Sequence, residues 1–245
     1  MDQADQFRRG AVVGGRYEVT AAIGRGAFGQ VYEARHLATG HNVALKVLRP
    51  RSAVVTDAMR QEFFAEASVT AGLCHPNTVR VFDFGETDGG ALYLTMERLI
   101  GETLQHTLAR LKRQQRPLGD SASRAIARAV LGSLAEAHAV GLVHQDLKPT
   151  NIFLQRIAGG QFVCKVLDFG LAVRVSEESN ASTHAAGTPQ YMSPEQACGQ
   201  PVDGRSDLYS FGLVLFECLT GNSPYVANTP REFLGACFIT RSAAA

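Results

Sequence analysis

The 245-residue chain carries 24 basic and 23 acidic residues, a formal charge of +1 that gives it no global field for recruiting nucleic acid or an anionic membrane. The length can bury a sizeable core, in one large domain or two small lobes sharing a cleft, and the longest apolar run, residues 211–216, meets Glu217 far short of a membrane span. Five scattered cysteines (Cys74, Cys164, Cys198, Cys218, Cys237) without a C-x-x-C pair and a start lacking a basic, apolar signal exclude a disulfide scaffold, a zinc site and export, and point to the cytoplasm.

Residues 1–15 are polar and Gly-rich without periodicity and read as a mobile leader. Residues 17–23, 31–34 and 43–48 are rich in β-branched side chains and predict three strands, with a turn at 39–42. A helix is predicted over 56–73, because Met59, Phe63, Glu66 and Thr70 fall on one stripe. Strands resume at 79–84 and 91–96. The character changes near Gly101: Ser121 is a candidate N-cap for a helix carrying Ile126, Val130 and Leu134 and ending at Gly141. Residues 207–219 are apolar on nearly every face, the mark of a helix buried in a core. Strands first and helices afterwards argue an α+β fold with two lobes.

Gly24, Gly26 and Gly29 form G-x-G-x-x-G, whose absent side chains let backbone N–H groups approach phosphate oxygens. By itself this pattern also suits an ordinary glycine-rich hairpin. A dinucleotide-binding fold would need a helix after the third glycine, whereas Gln30-Val31-Tyr32-Glu33 continues as strand. Lys46 lies in an otherwise apolar strand, where an ammonium requires an anion or a route to water. Glu66, on the inward stripe of the following helix, and Glu62, one turn earlier, are the candidate carboxylates.

Further on, His144-Gln145-Asp146-Leu147-Lys148-Pro149-Thr150-Asn151 begins where a helix and a short apolar stretch have ended. Lys165-Val166-Leu167-Asp168-Phe169-Gly170 closes a strand on an acid. Taken with the glycine hairpin and Ala44-Leu45-Lys46, these motifs resemble those of the eukaryotic-like Ser/Thr protein kinases over residues 15–225. The wording of Gly187-Thr188-Pro189-Gln190-Tyr191-Met192-Ser193-Pro194-Glu195 is similar to bacterial members.

The resemblance implies a bilobal kinase fold with a leader (1–15), an antiparallel N-lobe with one helix (16–98), a mainly helical C-lobe (99–228) and a divergent tail (229–245). It implies ATP and Mg²⁺, or Mn²⁺ in its place, with Asp146 as the base, Lys148 on the γ-phosphate and Asn151 and Asp168 as metal ligands. Lys46 and Glu66 would orient the phosphates, and Thr188 would bridge Asp146 and Lys148. Ile23, Gly24, Gly26, Gly29, Val31, Ala44 and Phe153 would enclose the nucleotide, Met96 would gate its pocket, and Glu97 and Leu99 would offer backbone hydrogen bonds to the base. His144, Phe169 and Asp207 would form a packed column. Lys148, two residues after Asp146, implies Ser/Thr side chains of proteins as acceptors, with self-association for autophosphorylation.

Two departures stand out. Gln145 occupies the place where the family usually has Arg, which implies weak dependence on phosphorylation of Ser176, Ser179, Ser182 or Thr183. After residue 225 the resemblance fades, so the C-lobe is expected to be incomplete, with Glu195 lacking its late arginine unless Arg231 or Arg241 serves. That expectation leaves open an ATP-binding pseudokinase or scaffold, or an unstable fragment.

Overall fold

The computed structural model describes residues 7–26, 29–48, 55–169 and 189–225. The chain forms two compact units, which among these residues comprise 7–73 with 79–99, and 74–78 with 100–225.

The first unit is a six-stranded antiparallel sheet ordered β1-β2-β3-β4-β6-β5, with β1 Val12–Val13, β2 Tyr17–Gly26, β3 Gly29–His36, β4 Asn42–Leu48, β5 Val81–Glu86 and β6 Leu92–Glu97. Strand alternation splits its side chains between two faces. Tyr32, Ala34, Val43, Leu45, Val47 and Tyr93 cluster on one face with Val13, Tyr17 and Val19. Residues 7–15 are therefore not the mobile leader their composition suggests. Gly14 and Gly15 turn with φ of +56° and +67°, and the buried Val13 pairs with Tyr17.

Helix α1, Asp57–Ala71, starts where predicted, because the Thr56 hydroxyl accepts from the Met59 N–H at 3.2 Å. Its Phe63 and Phe64 rings lie 6.5 and 5.9 Å from Phe84 of β5. Phe84 pairs with Leu94, which pairs with Lys46. Directly opposed residues share a face, so α1 covers the side of the sheet that carries Lys46.

The second unit contains the sheet β7-β8-β9, formed by Gly101–Thr103, Ile152–Arg156 and Phe162–Val166, with helices α2 Leu104–Arg113, α3 Asp120–Ala139, α4 Pro194–Ala197 and α5 Gly204–Thr220. Ser121 does not cap α3. Gly119 does, at φ +93°, and Ser123 donates its hydroxyl to the Gly119 carbonyl. Helix α5 is not buried all round either. Leu208, Phe216 and Leu219 are each nearly half exposed, while Ser206, Asp207, Val214 and Cys218 are buried. Asp203 caps its start and Gly221, at φ +76°, ends it.

Segment 74–78 belongs to the second unit through several bonds at once. Both Glu136 carboxylate oxygens accept backbone N–H groups, from Cys74 and His75, at 2.9 Å. The Asn77 amide donates to the Cys164 carbonyl at 2.7 Å, and Thr78 and Ser133 hydroxyls meet at 2.7 Å in the interior. A Cβ at Gly132 would come within 2.8 Å of the His75 ring, which would have to shift to admit it.

On the first unit, the Tyr17 hydroxyl donates to Asp83 at 2.8 Å, and Asp83 also pairs with Arg16 at 3.0 Å. Burial raises the Tyr17 phenol to about 12; the bond with Thr95 opposes that shift, and Asp83 adds to it. The unfolded phenol titrates near 10, so between about pH 10 and 12 the unfolded chain has lost a proton that the folded chain retains. Stability from Tyr17 is complete below pH 10 and is lost as pH rises through 12. Urea midpoints measured from pH 8 to 11.5 should fall less steeply for Tyr17→Phe than for the native chain, although the variant starts lower.

Candidate active site

Register alone gathers most of the predicted nucleotide residues of the first unit. Val31 pairs with Lys46, and Ala44 pairs with Glu33 on one side and Met96 on the other. Val31, Ala44, Lys46 and Met96 therefore project from the face opposite the main core cluster. Lys46, Ala44 and Met96 are 6, 7 and 7 % exposed, so this face is covered as well. The glycine hairpin spans β2 and β3, with Gly24 paired to Val31 and Gly26 to Gly29. A Cβ at Gly29 would sit 2.2 Å from the Val47 carbonyl oxygen. Ile23 is partly exposed, and Glu66 lies on α1 one turn before the buried Thr70, which bonds its carbonyl. The Glu97 N–H is already committed to the Arg80 carbonyl at 3.0 Å, and Leu99 O accepts from Arg98, so fewer backbone groups at 97–99 are spare than the sequence implies.

In the second unit, Asp146, Lys148 and Asn151 converge. Lys148 Nζ lies 2.8 Å from Asp146 Oδ2 and 2.9 Å from Oδ1. Asn151 Nδ2 donates to the Asp146 carbonyl at 2.8 Å and to its Oδ2 at 3.2 Å. With Nδ2 used in this way, Oδ1 is the acceptor end of the amide. The Leu167 N–H bonds the Asn151 carbonyl at 2.8 Å, which brings Asp168 beside this loop. Asp168 adopts φ +56°, a left-handed conformation uncommon for a residue with a Cβ. Phe153, on β8, pairs with Thr103 and Lys165.

A single buried carboxylate organises the loop. Asp207, 1 % exposed on α5, accepts the N–H of His144 at 2.8 Å and of Gln145 at 2.9 Å, while His138 Nε2 lies 2.7 Å away. The His144 ring meets the Leu167 carbonyl at 2.8 Å through Nε2 and packs 4.8 Å from the Phe169 ring. The expected column of His144, Phe169 and Asp207 is therefore present within this unit.

A cationic amine against a carboxylate, beside an amide oxygen and a second acid, is a donor set for moving a phosphoryl group. A model of the protein kinase domain matches residues 17–238. The chain belongs to the protein kinase family. It is 38 % identical over 229 residues to the serine/threonine-protein kinase pkn3 of Myxococcus xanthus, covering 91 % of this chain and 41 % of that protein. It is 36 % identical to a probable serine/threonine-protein kinase PknB of Corynebacterium glutamicum, covering 89 % of this chain and 33 % of that one. The chain thus spans well under half the length of these curated relatives. The solved kinase domain of Mycobacterium tuberculosis PknI superposes with a TM-score of 0.73 at 32 % identity, covering 91 % of this chain and 80 % of that domain. Protein kinases use ATP and a divalent metal ion.

Thr188, the four loop hydroxyls, Arg231 and Arg241 lie outside the described residues. Glu195 nevertheless has a partner, because the Ser206 hydroxyl donates to its Oε1. Burial would raise the Glu195 carboxyl, but the hydrogen bonds from Ser206, its own backbone and Ser193 outweigh it and hold the group below its ordinary value.

Sequence reading missed His138, Gln196 and Glu217. Glu217 receives the buried Tyr191 hydroxyl at 2.5 Å, a bond with no local signal. Burial, then this carboxylate, pushes the Tyr191 phenol well above its ordinary value. Gln196 did carry a local signal, the S-x-x-Q capping pattern beginning at Ser193.

Replacing Asp207 by Asn puts an amide N–H among groups that are themselves donors. Asp207→Asn should cost roughly 2–4 kcal/mol, read from urea denaturation with an unchanged m-value.

Proposed function

We propose that this chain catalyses transfer of the ATP γ-phosphoryl group to serine or threonine hydroxyls of proteins. The observation that carries this reading is the held carboxylate of Asp146, bonded by Lys148 and Asn151 on a loop pinned by Asp207. Asp146 accepts the proton of the attacking hydroxyl as the new P–O bond forms and the bond to the ADP leaving group breaks. Lys148 offsets charge on the transferred group.

The oxygen ligands available at Asn151 and Asp168 fit Mg²⁺ (Mn²⁺ being similar), and among the described residues no group of three or more His, Cys, Asp or Glu forms a dedicated cage. That suits an ion held by one or two protein oxygens together with phosphates. When bound, the ion supplies charge neutralisation between the phosphates. Lys46 would pair with Glu66 on the helix covering its face and would hold the α- and β-phosphates. Ile23, Gly24, Gly26, Gly29, Val31, Ala44, Met96 and Phe153 would enclose the nucleotide, with backbone groups of Glu97 and Leu99 on the base.

The retained Lys46, Asp146, Asn151 and Asp168 disfavour a pseudokinase. No helix among the described residues is long and apolar enough to cross a membrane. The reading includes a cytoplasmic setting, in keeping with four free cysteines among those residues, and a second copy of the chain as an acceptor in autophosphorylation.

Asp146→Asn should lower the rate of label transfer from γ-labelled ATP to a Ser/Thr peptide by about 10²–10⁴-fold, and chelating the divalent ion should abolish it. Normal transfer by the variant would sink the assignment. Because Gln145 offers no guanidinium to a loop phosphate, joint replacement of Ser176, Ser179, Ser182 and Thr183 by Ala should cost well under about a hundredfold in kcat. A larger loss in the same peptide assay would show a phosphate-ordered loop.

A further inference from the structure

Gln196 sits at the third position of the short helix α4 and completes a capping box with Ser193. Its own N–H donates to the Ser193 hydroxyl at 3.3 Å, and the Ser193 N–H donates to its Oε1 at 3.0 Å. A glutamate would serve that box equally well and would suit a helix N-terminus better by its charge. The amide does something a carboxylate cannot. With Oε1 taken by a donor, Nε2 points the other way and donates to the backbone carbonyl of Gln145 at 2.5 Å, across 51 residues of sequence.

Gln145 needs that bond. It holds φ +64°, a left-handed conformation that is unfavourable for a residue with a side chain and persists only where neighbours over-determine it. Its N–H is fixed by Asp207 and its carbonyl by Gln196, so both peptide groups flanking this strained residue are held by side chains. The next residue is Asp146.

We propose that Gln196 is a positioning residue for the catalytic carboxylate: its amide ties the first turn of α4 to the backbone of the catalytic loop, and it is an amide for that reason. The role rests on the phosphotransfer reading above. It also couples the segment around 193–196 to Asp146, so that displacing one displaces the other.

Gln196→Glu separates the two duties, since it keeps the cap acceptor and replaces the donor facing Gln145 by an acceptor. The expected result is a melting temperature within a few degrees of the native chain, kcat for peptide phosphorylation at least tenfold lower, and KM for ATP within twofold. Hydrogen exchange of the amides at 144–147 should speed up while those at 196–198 keep their protection. Gln196→Met, which removes the donor without adding charge, should show the same kcat loss if the carboxylate variant folds poorly. A Gln196→Glu protein with native kcat and native exchange at 144–147 overturns the proposal and leaves Gln196 as a cap alone. If the native chain transfers no phosphate, the function assigned above fails, and the exchange comparison still decides whether Gln196 holds the loop.

Discussion

Loop chemistry has a general difficulty: polar groups must be placed to within a fraction of an ångström on backbone that no helix or sheet ladder holds. In this chain the difficulty is met by Asp207, whose carboxylate accepts the N–H groups of His144 and Gln145 from inside the second unit. A buried carboxylate without partners would cost several kcal/mol, so the loop and the acid stabilise each other. Everything downstream of that exchange follows. Asp146 lies next to a fixed peptide, its side chain takes Lys148, and Asn151 closes the loop by bonding both the Asp146 carbonyl and carboxylate.

The helix that presents Asp207 must itself be fixed, and its anchors are also polar. The start of α5 is capped by Asp203, Ser206 bonds Glu195, and Glu217 receives Tyr191. The first turn of α5 thus reaches both the segment 191–195 and the catalytic loop, and its last turns reach that segment again through Glu217. A purely apolar helix would bury as much surface but would leave its rotation weakly specified, whereas hydrogen bonds of this kind accept one orientation.

The sequence made legible whatever depends on period or on a short motif. The β-branched runs located strands at 31–34 and 43–48, and the pairing of those strands then puts Val31, Ala44 and Lys46 on one face. The stripe Met59, Phe63, Glu66 and Thr70 likewise located α1, whose start the structure shows to be capped by Thr56. What stayed hidden was contact between side chain and distant backbone. Glu136 reaches back across some sixty residues to the N–H groups of Cys74 and His75, and nothing around it marks it apart from any exposed helical glutamate. The short leader was misjudged for a related reason. Val12 and Val13 are too few to show alternation, and only pairing with β2 makes them a strand.

The two described non-glycine residues with left-handed backbone inside the reacting loops are Gln145 and Asp168, one preceding the base and the other a proposed metal ligand. Strain at such positions is stable only when several bonds share its cost. Gln145 has Asp207 and Gln196; Asp168 follows Leu167, whose N–H and carbonyl are bonded by Asn151 and His144, and precedes Phe169, whose ring rests on His144. His144 therefore participates in both. Its N–H serves the Asp207 end, its Nε2 and ring face serve the Asp168 end, and its Nδ1 accepts from the Asp146 N–H at 3.3 Å. One imidazole, 0 % exposed, ties both strained residues to the same anchor. That arrangement explains why a residue with no assigned contact to ATP or acceptor occupies the most enclosed position in the loop.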